Sequence, residues 1–256
     1  MDMDLEKPAG GGVSPKDESR KKAISTIIVM VVITFLLWDE RLLAPFHLGW
    51  LSLLVYPVKI FVVFLHELSH GLAAIATGGR IVSITLSPDQ GGLCQHMTNG
   101  KLMSQIITAS AGYLGSMFWG CVMLIASIKL RNKKPVNLFI GIVMIAAMIM
   151  WIRDLFPVVF CTLFGGAMIL LGTKLSEDLN SLALKYLGTV SCMYSLVDIP
   201  DDLIFRTVTN AGNGVGSDSY AIASALGMPF LSVPIGILWM IMSVAALWQT
   251  YKIAMK

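Results

Sequence analysis

Apolar runs separated by short polar breaks occupy most of the chain, near residues 23–38, 49–76, 102–128, 136–152, 155–172, 180–198 and 227–249. A bilayer-spanning helix needs about 20 mostly apolar residues, or about 17 at the short end. The pattern therefore predicts an all-α multi-pass membrane protein with six or seven transmembrane helices. The second run is longer than one crossing requires, which predicts a tilt, a break near Pro57 or a re-entrant start. The fourth and fifth are parted only by "RDLFP", a tight hairpin or an interfacial break. Ahead of the first run, residues 1–22 are polar, rich in Gly and Pro and mixed in charge, and read as a disordered tail before a membrane-embedded domain at 23–256. With no small-residue cleavage site after it, the first run is expected to stay in place as a signal anchor.

Two connections are long enough to carry structure. In "TGGRIVSITLSPDQGGLCQHM", Gly78-Gly79 stops a helix, "RIVSITL" has the alternation of a strand and "SPDQGG" is dense in turn residues, so a β-hairpin is expected. The second, "DIPDDLIFRTVTNAGNGVGSDSYAIASALG", opens with acids and places Ser217 as the N-cap of a following helix. Basic clusters at Lys16–Lys22 and Lys129–Lys134 have three apolar runs between them, so with seven spans they cannot both obey the positive-inside rule.

Composition agrees with the lipid bilayer as the surroundings: 55% of residues are hydrophobic, 14% are charged and the mean hydropathy is +0.74. A net charge of +3 is too small to point to a nucleic-acid partner. Cys121, Cys161 and Cys192 sit in apolar runs as small hydrophobes, while Cys94, two positions before His96, is a weak metal-ligand signal by itself. His96 lies in a hairpin loop with turn residues on both sides, His47 just before a Gly-Trp pair at a predicted membrane edge, and both read as solvated.

One apolar run is interrupted by chemistry. In "FVVFLHELSHGLAAIATGGR", residues 61–80, His66 and His70 are four apart and so share a helical face, with Glu67 beside them. This is the HExxH spacing: two imidazoles for one zinc ion and a glutamate to act as general base on the water that zinc acidifies. Ionisable groups inside an apolar span are costly and need partners, which a metal would supply together. A catalytic zinc site also needs a third protein donor. Asp198 is favoured because it lies deepest in an apolar run, with Asp202 and Asp218 as alternatives and Asp154 a further acid at membrane depth. Thr108, Gly112, Ser116 and Gly120 form a small-residue seam expected to pack against the HELSH helix.

Together, "FHELSHGLAA", the following "TGGR" and the later "SAGYLGS" resemble the site-2 protease family of intramembrane zinc metalloproteases, and most closely a compact branch with "DIPDDLI"-like and "SD"-like segments near the C-terminus. The resemblance runs from about residue 60 onward. It implies Zn2+ held by His66 and His70, Glu67 as general base, and cleavage of a peptide bond of a membrane protein substrate. It also implies a hairpin that pairs with the unwound substrate, at an edge formed by Ile81, Val82, Ser83, Ile84 and Thr85. The chain departs from the better-known members in two places. It lacks their Asp-Gly pair, for which Asp198-Ile199-Pro200 is only a substitute, and it has Ala111-Gly112-Tyr113 with Ser116 where they have Ala-Gly-Pro and a later Asn. The contrasting expectation is a membrane binding or chaperone-like factor that keeps the HExxH cluster without proteolysis. A zinc transporter would need donors spread through several spans, whereas these are concentrated in one place.

Overall fold

The structure, a computed structural model, describes residues 15–38, 46–201 and 217–256. Helix α1 (Pro15–Trp38) leads to a 3₁₀ turn at Gly49–Leu54 and helix α2 (Tyr56–Ala76). Strands β1 (Arg80–Leu86) and β2 (Gly92–Met97) follow, then helices α3 (Leu102–Lys129), α4 (Lys134–Trp151), α5 (Leu155–Lys174) and α6 (Glu177–Asp201). A short helix α7 (Asp218–Ala225) precedes the last helix, α8 (Ser232–Met255). Among the described residues, six helices are long and apolar enough to cross a membrane: α2 to α6 and the helical segment Pro229–Ala254 that contains α8. The chain is a multi-pass integral membrane protein, and among the described residues its helices are joined by one antiparallel pair of strands.

The break expected near Pro57 lies between the 3₁₀ turn and α2, with Pro57 in the first turn of α2, where its missing N–H costs nothing. The first apolar run does not count among the six, because only Ile24–Trp38 of α1 is apolar. That helix starts at Pro15, so the end of the expected tail is helical. Lys22 and Lys133 both lie within electrostatic reach of Lys185 on α6, so the two basic clusters share one end of the bundle. With α1 not counted as a crossing, only α2 and α3 separate them, and the conflict over orientation disappears.

Helix α2 is the buried centre of the fold. From Val58 to Gly71 every residue is buried, and Phe61, Phe64 and Leu68 anchor the main core with Tyr113 of α3 and Ile84 of β1. By contrast, α4, α5 and α8 expose Ile149, Leu163 and Ile241, the faces that lipid covers. Buried Asn137 of α4 donates to the backbone and side-chain oxygens of Asn180 on α6, at 3.1 and 2.7 Å, a polar tie between helices.

The small-residue seam of α3 divides its contacts. A Cβ at Gly112 would meet the imidazoles of α2, whereas one at Gly120 would meet Cys192 and the Gly188 carbonyl of α6. Ser191 and Ser195 of α6 also donate to the carbonyls of Ser116 and Tyr113, at 2.7 and 2.9 Å. Half of the seam therefore faces α6 rather than α2, because a four-residue spacing drifts around a 3.6-residue helix.

The hairpin lies along α2. Gly78, at φ 86°, ends the helix, and Tyr56 at the other end of α2 donates to the Pro88 carbonyl in the hairpin turn. The pairing register shifts between Ile81 and Ser83. This irregularity breaks the expected strict alternation, so that Ile81 and Ile84, three apart, are both buried.

Candidate metal centre

Two helices and one capped turn assemble the site. Helical periodicity puts His66 and His70 of α2 on one face, and their Nε2 atoms lie 3.0 Å apart. Asp218, in the first turn of α7, brings Oδ2 to 3.1 Å from the Nε2 of His66 and 3.2 Å from that of His70. Among the described residues these are the one cluster of three donors close enough together to share an ion.

Local chemistry explains how Asp218 arrives there. Ser217 has extended backbone angles and its side chain accepts the Tyr220 N–H at 3.1 Å, the N-cap that its position in the sequence predicts. Ser217, Ser219 and Ser232 form a hydroxyl chain, with steps of 3.0 and 2.8 Å, tying the start of α7 to the start of α8. Burial alone would raise the Asp218 carboxyl, but the His70 charge and the bonds to both histidines hold it well below the usual carboxylate range. It is therefore an anionic donor at neutral pH.

Asp198, favoured from the sequence as the third donor, is engaged elsewhere. Its Oδ2 accepts the Tyr113 hydroxyl at 2.9 Å, and the Tyr113 ring stands edge-on to His66 with centroids 4.7 Å apart. Asp198 therefore positions the wall behind a candidate ligand. Depth in an apolar run was the signal that favoured it, but the face of α6 on which it lies meets α3. Asp202 lies outside the described residues. Asp154 lines a different hollow, beside the hairpin turn.

The donor set fits a metal ion on three counts. His70 donates from Nδ1 to the Thr108 carbonyl at 2.7 Å, so in the neutral ring Nε2 carries a lone pair toward the cluster. Two such nitrogens and a carboxylate oxygen, all about 3 Å apart, would repel one another without a shared cation or proton. Gly112 also makes room for the pair: a Cβ there would lie 2.4 Å from the Nε2 of His70 and 2.5 Å from the Nε2 of His66. Among the described residues the buried Nδ1 of His66 has no hydrogen-bond partner.

Glu67 adjoins the cluster and is held by the hairpin. Its Oε2 accepts the Cys94 N–H at 2.7 Å. A Cβ on Gly92 would lie 2.7 Å from Glu67 Cγ and 2.8 Å from Oε1, so β2 approaches the carboxylate only because residue 92 is glycine. Glu67, His66, His70 and Asp218 share a cavity of about 370 Å³ with Gly92, Leu93, Cys94 and His96 of β2. Cys94 contributes its backbone there. Its thiol is pushed up to about 12 by burial and by the Glu67 charge, and it is not among the clustered donors.

The cavity also changes two expectations about the loop. The wall strand is β2, and none of Ile81, Val82, Ser83, Ile84 or Thr85 lines it. Ile81 and Ile84 of β1 are committed to the core instead, with Ile81 packed against Gly71. His96, read from its turn-rich surroundings as solvated, lines the cavity with its ring nearly parallel to that of His70, centroids 6.3 Å apart. The sequence carried one signal for this, the even spacing of Gly92, Cys94 and His96 along one strand.

A comparison with family models matches residues 27–250 to the Peptidase M50B-like family, a range that takes in the HELSH helix, the hairpin, the seam and Asp218. No curated protein and no solved structure matches the chain. With that match extending over most of its length, the chain belongs to the Peptidase M50B-like family, a family of membrane metallopeptidases.

Proposed function

We propose that this protein is a zinc-dependent intramembrane endopeptidase that hydrolyses a peptide bond of a membrane protein substrate. The observation that carries the reading is the convergence of His66, His70 and Asp218 in one cavity of a multi-pass membrane protein, with the Glu67 carboxylate on the same wall. His66 and His70 would hold zinc through Nε2 and Asp218 through a carboxylate oxygen. When bound, zinc supplies a Lewis acid that makes water nucleophilic near neutral pH and polarises the scissile carbonyl.

The rest of the chemistry belongs to the chain. Glu67 takes the proton from the attacking water and returns it to the leaving amine, with no covalent intermediate. The Cys94 N–H fixes Oε2 and leaves Oε1 for the proton transfer. The Thr108 carbonyl fixes the His70 tautomer. A helical substrate hides its scissile carbonyl in hydrogen bonds and must be unwound, and its freed backbone then needs partners away from water. The cavity wall offers them on β2, by addition of an extended strand.

Two measurements on purified protein in detergent test the reading. Metal analysis should find about one zinc per chain, lost when His66→Ala and His70→Ala are combined. Hydrolysis of fluorescein-labelled casein, an unfolded polypeptide, should disappear in Glu67→Gln with zinc retained. Cleavage that survives Glu67→Gln rejects the mechanism, and wild-type protein without metal would make a non-proteolytic binding factor the better reading.

A further inference from the structure

His96 is outside the expected set of catalytic and ligand residues, yet it is tied to the same backbone residue as Glu67. In a strand the N–H and C=O of one residue point to the same side. For Cys94 both are taken by side chains of the cavity: the N–H by Glu67 at 2.7 Å and the carbonyl by His96 Nδ1 at 2.9 Å. A carbonyl can only accept, so His96 donates through Nδ1–H, and in the neutral ring Nε2 is left as an acceptor. That nitrogen has no partner among the described residues, on a half-buried ring that lines the cavity beside His70.

An extended substrate lying along β2 brings backbone N–H groups that need acceptors. At the centre of the strand the obvious acceptor, the Cys94 carbonyl, is already engaged. We propose that His96 is a substrate-positioning residue, relaying the Cys94 carbonyl by giving it Nδ1–H and accepting a backbone N–H of the substrate at Nε2. This rests on the proteolytic reading for its substrate class but not for its binding step. It assigns to the imidazole a place in peptide recognition, next to the metal ligands and separate from them.

The test compares wild type, His96→Phe and His96→Gln on fluorescein-labelled casein, with metal content measured in parallel. Losing one hydrogen bond that is equally present in ground and transition states should raise KM about three- to tenfold in His96→Phe and leave kcat within about twofold. His96→Gln should restore much of the loss, because a carboxamide can donate to the carbonyl and still accept. A fluorescein-labelled peptide of casein sequence, chosen by its binding to Glu67→Gln and N-methylated at one backbone amide at a time, adds a readout that a merely structural role would not move. One methylated position should weaken binding to wild type and cost nothing further in His96→Phe.

Binding of the same peptide is followed by fluorescence anisotropy on the Glu67→Gln background, which separates the two ideas. His96-dependent binding without cleavage by the wild type would retain this inference and remove the proteolytic reading. Cleavage with a KM that His96→Phe leaves unchanged, or a fall in kcat alone, would overturn the inference and keep that reading. Loss of zinc in His96→Phe, or no peptide binding in any variant, would also overturn it.

Discussion

Gly112→Ala sets secondary structure against the site. In the middle of α3, alanine should favour the helix by about 1 kcal/mol over glycine. The added Cβ, however, would stand 2.4 Å from His70 Nε2 and 2.5 Å from His66 Nε2 and Cε1. Ordinary contact begins near 3.5 Å, so one or both rings must retreat by about 1 Å, or α3 must move away from α2. Neither ring can swing freely, because His70 is held at the Thr108 carbonyl and His66 by the edge of Tyr113. Metal–donor distances are set to within about 0.2 Å, so a shift of this size should lower zinc affinity at least about 100-fold, or some 2.7 kcal/mol. The assay is a competition titration of bound zinc against a chelator, alongside a thermal melt of the metal-free protein followed by circular dichroism. The expected result is weaker zinc with the melting temperature of the metal-free form unchanged or modestly lowered, because the same clash, at about 1–3 kcal/mol, offsets the helix gain. Gly166→Ala is the control, since a Cβ there meets nothing within 4 Å. Wild-type zinc affinity in Gly112→Ala would refute the argument that the two imidazoles converge on one ion beneath this glycine.

Asp218→Asn should lose zinc on metal analysis and Asp198→Asn should retain it; the reverse result would return the third-donor role to Asp198. Ser217→Ala removes the α7 cap at a cost of about 1 kcal/mol and should weaken zinc several-fold without abolishing it, whereas unchanged affinity would mean that the cap does not position Asp218. Because burial and the Glu67 charge push the Cys94 thiol up to about 12, its thiolate is scarce below that pH. Maleimide labelling at pH 8, read by mass spectrometry, should be roughly a thousandfold slower than in the denatured chain, and labelling at the denatured rate would contradict the buried contact with Glu67.

Much of the site could be read locally. His66, Glu67 and His70 share one turn of one helix, so their spacing alone puts them together, and Ser217 as a cap depends only on the three residues after it. The hairpin was legible from glycines and turn residues, and the break before α2 from Pro57. The structure departs from the local reading where a local signal stood in for a contact. Depth in an apolar run favoured Asp198, whose side of α6 meets Tyr113, and turn-rich flanks marked His96 as solvated although β2 carries it into the cavity. The alternation of β1 concealed the irregularity after Ile81 that commits this strand to the core.

By itself, then, the sequence determined the class of the protein, its membrane runs, the hairpin and the two imidazoles with their glutamate. Helical period, turn chemistry and hydrophobicity act over a few residues or one span, and they leave a direct trace in the chain. Only the tertiary structure decided which acid joins His66 from 152 positions away, which strand forms the wall, and that one backbone residue, Cys94, holds both Glu67 and His96. Those choices follow from how α2, α3 and α6 cross and from where the serine chain anchors α7, packing relations that no spacing within one segment encodes.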